Sequence, residues 1–120
     1  ISTYIIPRPT ALTTAAAFAG LPAPFIFGGF SPAKTGNLRK RLTSWLATDM
    51  PVIIYESPHR ATRLMTMLTE EFNDPEVTVA RELTKIHQQL IRARASEISA
   101  NHKAAITRGE LVIIIHPQTG

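Results

Sequence analysis

The sequence predicts an α/β domain in which a mixed five-stranded sheet is flanked by helices. Three observations predict it. Runs of β-branched residues alternate with stretches whose apolar residues recur at helical spacing. Two of those runs, VIIYE and VTVAR, are separated by a helix of the length expected for a βαβ crossover. The 120 residues are 44% hydrophobic, which lets a chain of this size bury roughly two-thirds of its unfolded surface in one core.

Taken in chain order, TALTTAAAFAG at 10–20 reads as a short helix of small residues, with a Thr cap before it and Gly20 and Pro22 after it. PFIFGGF at 24–30 is an apolar, aromatic run ended by glycine, hence a strand. The loop SPAKTGN leads to a second helix in which Leu38, Leu42, Trp45 and Leu46 share one face. That apolar face must meet a sheet, while Arg39, Lys40 and Arg41 occupy the other face.

VIIYE at 52–56 is the next strand, and the helix after it carries dense start signals. Ser57 is a cap and Pro58 suits the first helical position, after which Ala61, Leu64, Met65, Leu68 and Phe72 recur at helical spacing. VTVAR at 77–81 follows, and the short connection RELTK favours an antiparallel return over 87–94. A final helix, SEISANHKAA, takes Ser96 as its cap, and RGELVIIIH closes with a continuous apolar run fit for a buried strand. The first 20 or so residues fit this alternation poorly, because they supply a helix with no strand before it.

Composition narrows the function classes. No cysteine is present, so disulfides and thiol nucleophiles are excluded and a cytoplasmic location is expected. The longest apolar runs, such as LVIII, fall far short of the roughly 20 residues a membrane-spanning helix needs, and no membrane partner is expected. The opening ISTYIIPRP has neither an initiator Met nor a secretory pattern and reads as the continuation of a longer polypeptide. The net charge of +4 is lopsided: residues 1–60 hold six Lys/Arg against two Asp/Glu, whereas 61–120 hold seven of each. Such a bias suits a polyanionic partner. The four histidines have no metal-ligand spacing, so no metal is expected, and neither a glycine-rich nucleotide fingerprint nor a hydrolase elbow occurs.

Two short motifs stand where strands end and helices begin, the place where open α/β sheets gather ligands. In YESPHR, His59 and Arg60 occupy the first turn of a helix, whose partial positive charge makes a cation unfavourable there. The competing reading is a surface pair of Glu56 with Arg60 or Arg63 and a solvated His59. In ARELTK, Arg81, Glu82 and Lys85 form either part of a site or a solvated charge ladder. The run Arg39, Lys40, Arg41 is either a phosphate-contacting face or the ordinary polar side of an amphipathic helix.

PRPTALTTAAAFAGLP, FIFGGFSPAKTGNLRKRL, IIYESPHR, VARELTK and RGELVIII, in that order, resemble the second half of the ribosomal RNA small subunit methyltransferase I family over nearly the whole chain. YESPHR followed about twenty residues later by ARELTK is the most specific part of the match. The resemblance implies the C-terminal domain of the tetrapyrrole methylase-like (class III) methyltransferase fold, in two α/β domains with S-adenosylmethionine in the cleft between them. It implies methylation of the ribose 2′-oxygen of a cytidine in 16S rRNA within the small ribosomal subunit, and it is compatible with a homodimer.

On this resemblance residues 1–22 are the end of the cofactor-binding domain and the linker, and 23–120 are the C-terminal domain. The glycine-rich cofactor loop would lie upstream, so the chain by itself is expected to be inactive. His59 and Glu82 become candidates for taking or relaying the proton. Pro9, Thr10, Ala11, Ser57 and Pro58 become cofactor contacts, and Lys34, Arg39, Lys40, Arg41, Arg60, Arg81 and Lys85 become RNA contacts. Arg8 stands where family members commonly have Gly, which alters what the backbone between the two prolines can adopt. The alternatives are a tetrapyrrole or other small-molecule methyltransferase of the same fold, and a non-catalytic RNA-binding module.

Overall fold

A computed structural model describes residues 2–7, 24–82, 87–106 and 109–118. All five expected strands form: β2 (Ile26–Phe30), β3 (Val52–Glu56), β4 (Glu76–Glu82), β5 (His87–Arg94) and β6 (Leu111–Ile115). A sixth, β1 (Ser2–Pro7), adds to them, and the order across the single sheet is β1-β5-β4-β6-β3-β2. β2 pairs with β3 in parallel, whereas β6 runs antiparallel to both β3 and β4, and β5 antiparallel to both β4 and β1. The sheet is therefore mixed, with β2, β3 and β4 pointing the same way. β3 and β4 share the sheet as the crossover length implies, but β6 lies between them.

The helices are α1 (Thr35–Leu46), α2 (Pro58–Glu71) and α3 (Ala95–Asn101), followed by a 3₁₀ turn at Lys103–Ile106. α1 buries Leu38 and Leu42, and α2 buries Ala61, Leu64, Met65, Met67 and Leu68. These side chains pack on the sheet face formed by Val52, Ile54, Val77, Val79, Leu111, Ile113 and Ile115. The alternate residues Ile53, Ala80, Leu90, Val112 and Ile114 form the second buried face, with Tyr55 packed against it. β6 is buried at every position, which follows from its central place and its unbroken apolar run.

Two local differences from the sequence reading have physical causes. Ser96 does not cap α3, because the helix starts one residue earlier. Asp74, reaching from the turn before β4, instead accepts from the Ser96 amide at 2.8 Å and from its hydroxyl at 2.5 Å, so a carboxylate from another segment satisfies the helix start. The expected last helix also divides at His102 into α3 and the 3₁₀ turn. The Ala-rich helix at 10–20 and the positions Arg8, Pro9, Thr10, Ala11 and Lys85 lie outside the described residues.

Candidate functional site

β2, β3 and β4 end along one edge of the sheet, and their last residues assemble the site. Glu56 closes β3 and Arg81 lies next to the end of β4, and both pair with Leu111, one from each side of β6. YESPHR and ARELTK, separate in sequence, thus flank the first residue of one strand. β2 delivers Phe30 and Ser31 to the same edge, with Phe30 in register with Tyr55.

At the centre is a buried polar cluster. Glu56 and Ser31 are 2% and 3% exposed, and the Ser31 hydroxyl donates to Glu56 Oε1 at 2.5 Å. Arg63, one turn into α2, donates to the Ala33 carbonyl at 2.6 Å, to the Pro32 carbonyl at 2.7 Å and to Ser31 Oγ at 3.3 Å. Arg60 donates to the Ser31 carbonyl at 3.2 Å. Burial pushes the Glu56 carboxyl above its ordinary range, and the Ser31 hydrogen bond and the charges of Arg63 and Arg60 pull against it. The second Glu56 oxygen, Oε2, is buried with no hydrogen-bond partner among the described residues.

The sequence allowed Glu56 to pair with Arg60 or Arg63 at the surface. The structure buries it instead and inserts Ser31 between acid and guanidinium. Arg60 and Arg63 donate to carbonyls of the β2–α1 loop, so the first turns of α2 hold that loop in place, while Arg63 Nε is buried without a hydrogen-bond partner among the described residues. Ser57 caps α2 as expected, accepting from the Arg60 amide at 3.4 Å, with Pro58 at the first helical position. His59 is exposed in the first turn.

The remaining candidates divide. Arg81 donates to Gln89 at 2.7 Å and to the Ala104 carbonyl at 2.8 Å, which ties β5 and the 3₁₀ turn to the site edge. Glu82 ends β4, its backbone in register with Gln88. Lys34, Arg39, Lys40 and Arg41 are all exposed. Arg39 is held by Glu71 of α2 through two hydrogen bonds of 2.6 and 3.0 Å, while Lys34, Lys40 and Arg41 have no side-chain partner among the described residues.

Sequence reasoning missed Ser31, because its significance depends on Glu56, 25 residues away. Among the described residues no group of three or more His, Cys, Asp or Glu is arranged to hold a metal ion, and no helix is long and apolar enough to cross a membrane.

Comparison with known proteins identifies the family. The family of tetrapyrrole (corrin/porphyrin) methylases matches residues 1–99. Among curated proteins, the chain is 38% identical over 117 residues to a ribosomal RNA small subunit methyltransferase I from Thermotoga maritima, covering 96% of this chain and 52% of that protein. It is 33% identical over 113 residues to the protein of that name from Coprothermobacter proteolyticus, covering 94% and 50%. The protein of that name from Bacillus subtilis is 32% identical over 118 residues, covering 96% and 40%. The chain thus spans about half the length, or less, of these relatives. With the family match extending over most of its residues, the chain belongs to the tetrapyrrole methylase family.

Proposed function

We propose that this chain is the C-terminal portion of an S-adenosylmethionine-dependent methyltransferase that modifies the ribose 2′-oxygen of a cytidine in 16S rRNA. The observation that carries the reading is the meeting of YESPHR and ARELTK on either side of Leu111, at the strand ends where α/β sheets bind ligands. The relatives named as ribosomal RNA methyltransferases support the acceptor class. Residues 23–120 are then the substrate-side domain, and residues 1–22 are the end of a preceding domain, with Ser2–Pro7 laid along β5.

S-adenosylmethionine supplies an activated methyl group when bound. The donor set here fits only its charged amino-acid end. Ser57 and Pro58 open α2, whose amino end favours a carboxylate, and Pro9, Thr10 and Ala11, outside the described residues, are further proposed contacts. Because the methyl is already activated, the chain's own residues have mainly to hold the ribose oxygen in line and receive its proton. His59, exposed in the first turn of α2, and Glu82, the last residue of β4, are the proposed candidates for that role. Arg60, Arg81, Lys34, Lys40 and Arg41 are the proposed source of positive charge toward the RNA, together with Lys85, which lies outside the described residues, and Arg39 shares its charge with Glu71.

The test is transfer of a labelled methyl group by the full-length protein carrying this chain, with small ribosomal subunits, protein-free RNA and a porphyrinogen as competing acceptors. Label in the RNA of the small subunit is expected. Label in the porphyrinogen would establish the small-molecule alternative, and RNA binding without label would establish a non-catalytic module.

A further inference from the structure

Phe27 and Phe30 are 53% and 70% exposed, an unusual place for two phenylalanines in a chain with a well-filled core. Residues three apart on a regular strand face opposite sides of the sheet. Here both rings lie on one side, because β2 is bulged: Phe27 pairs with Ile53, Gly29 with Ile54 and Phe30 with Tyr55, leaving Gly28 without an opposite number. Both phenylalanine rings meet Tyr55 with centroids 5.5 Å apart, Phe27 edge-on at 82° and Phe30 tilted at 39°. The bulge needs its glycines. Gly29 has φ +65°, and a Cβ on Gly28 would stand 2.9 Å from the Trp45 ring. A strand is thus bent by two residues poor in strand propensity to present aromatic rings to solvent, an arrangement that adds little to folding.

The chemistry around the rings selects their partner. The loop leaving Phe30 carries Lys34 and receives the guanidinium groups of Arg60 and Arg63, while Glu56, the one acid in this cluster, is buried behind Ser31. Residues 24–48 contain no Asp or Glu at all. A second copy of the chain seated symmetrically on this face would set cations against cations. An exposed aromatic face beside a cationic edge instead suits unpaired nucleobases, which stack on rings while their phosphates meet the charge.

We propose that Phe30, backed by Tyr55 and Phe27, is a stacking platform for an unpaired base of single-stranded RNA that crosses the C-terminal edge of the sheet. This rests on the RNA reading above and names the residues that would take the base and the strandedness they require. Phe30→Ala should weaken binding of a mixed-sequence single-stranded RNA 12-mer to the full-length protein by about 5- to 150-fold. The slope of log affinity against log salt should stay the same, because no phosphate contact is lost. Phe30→Trp should restore affinity and Phe30→Leu should not, since leucine offers apolar area without a flat face.

An abasic ribose at one position of the 12-mer should cost as much as Phe30→Ala, and the two losses should not add. The same 12-mer in a duplex should bind more weakly and be indifferent to the substitution. The melting temperature of each variant separates loss of the contact from loss of the fold. RNA binding unchanged by Phe30→Ala and Phe27→Ala would overturn the platform and leave the RNA reading standing. Absence of RNA binding by the parent protein would overturn both. A dimer that dissociates on Phe30→Ala would show that a second copy covers the rings, and would overturn the platform.

Discussion

The opening turn of α2 places Arg60 where helix electrostatics disfavour a cation, and the cluster explains why it is tolerated. Its guanidinium is bound to the Ser31 carbonyl, and with Arg63 it surrounds a carboxylate that would otherwise be buried among neutral groups. Of this cluster the sequence disclosed the cations and the acid but not their order, because Ser31, the residue between them, comes from the loop after β2. Glu56 should leave a signature in stability. Burial raises its carboxyl above 4.5, so between that value and the folded-state value the folded chain holds a proton the unfolded chain has released. Stability contributed by the neutral carboxyl is complete below 4.5 and is lost as pH rises through the folded-state value. Glutamine preserves an acceptor for the Ser31 hydroxyl and has no proton to lose. Melting temperatures across the acid range should therefore show the parent falling relative to Glu56→Gln as pH rises, then running parallel to it. Curves parallel throughout would contradict a buried, raised carboxyl.

Elements whose signals are local were legible. The cap at Ser57, the proline at position 58 and the apolar spacing that follows specify α2 within about one residue, and the unbroken LVIII run specifies a strand buried on both faces. What escaped depends on distant partners. α3 begins at Ala95 rather than after Ser96 because Asp74 satisfies its first turn from 22 residues away. β1 pairs with β5, some 85 residues later, although its run TYII is itself a short strand signal that the sequence reading passed over. The glycine pair in PFIFGGF read as the end of a strand, whereas it is a bulge inside one. The bulge can be tested by adding single methyl groups. Gly29→Ala should cost about 1–2 kcal/mol, because its φ of +65° is left-handed. Gly28→Ala should cost a comparable amount or more, because the 2.9 Å approach forces the half-buried Trp45 ring to move. Urea unfolding followed through Trp45, the sole tryptophan, measures both, and a neutral Gly28→Ala would show that the ring yields freely.

For the whole molecule, topology does what neither motif does alone. Inserting β6 between β3 and β4 brings YESPHR and ARELTK to one edge, and the parallel β2 adds its loop and its aromatic rings to that edge. The charge bias read in the first half of the sequence does not gather at that edge as a whole: Arg60 is bound to the Ser31 carbonyl there, whereas Arg39 is held by Glu71 at the far end of α2. Basic residues at the strand ends and an exposed phenylalanine face are the features on which the proposed RNA surface rests, and the chain belongs to the tetrapyrrole methylase family. On the proposed function this edge presents a ribose of ribosomal RNA for methylation at its 2′-oxygen, and alkaline hydrolysis distinguishes that product. A 2′-O-methyl group removes the nucleophile that cleaves the adjoining phosphodiester. Small ribosomal subunits should be incubated with the full-length protein and labelled S-adenosylmethionine, and their RNA then digested in alkali. Label is expected in alkali-resistant dinucleotides; label released in mononucleotides, as base methylation would give, would contradict 2′-O-methylation.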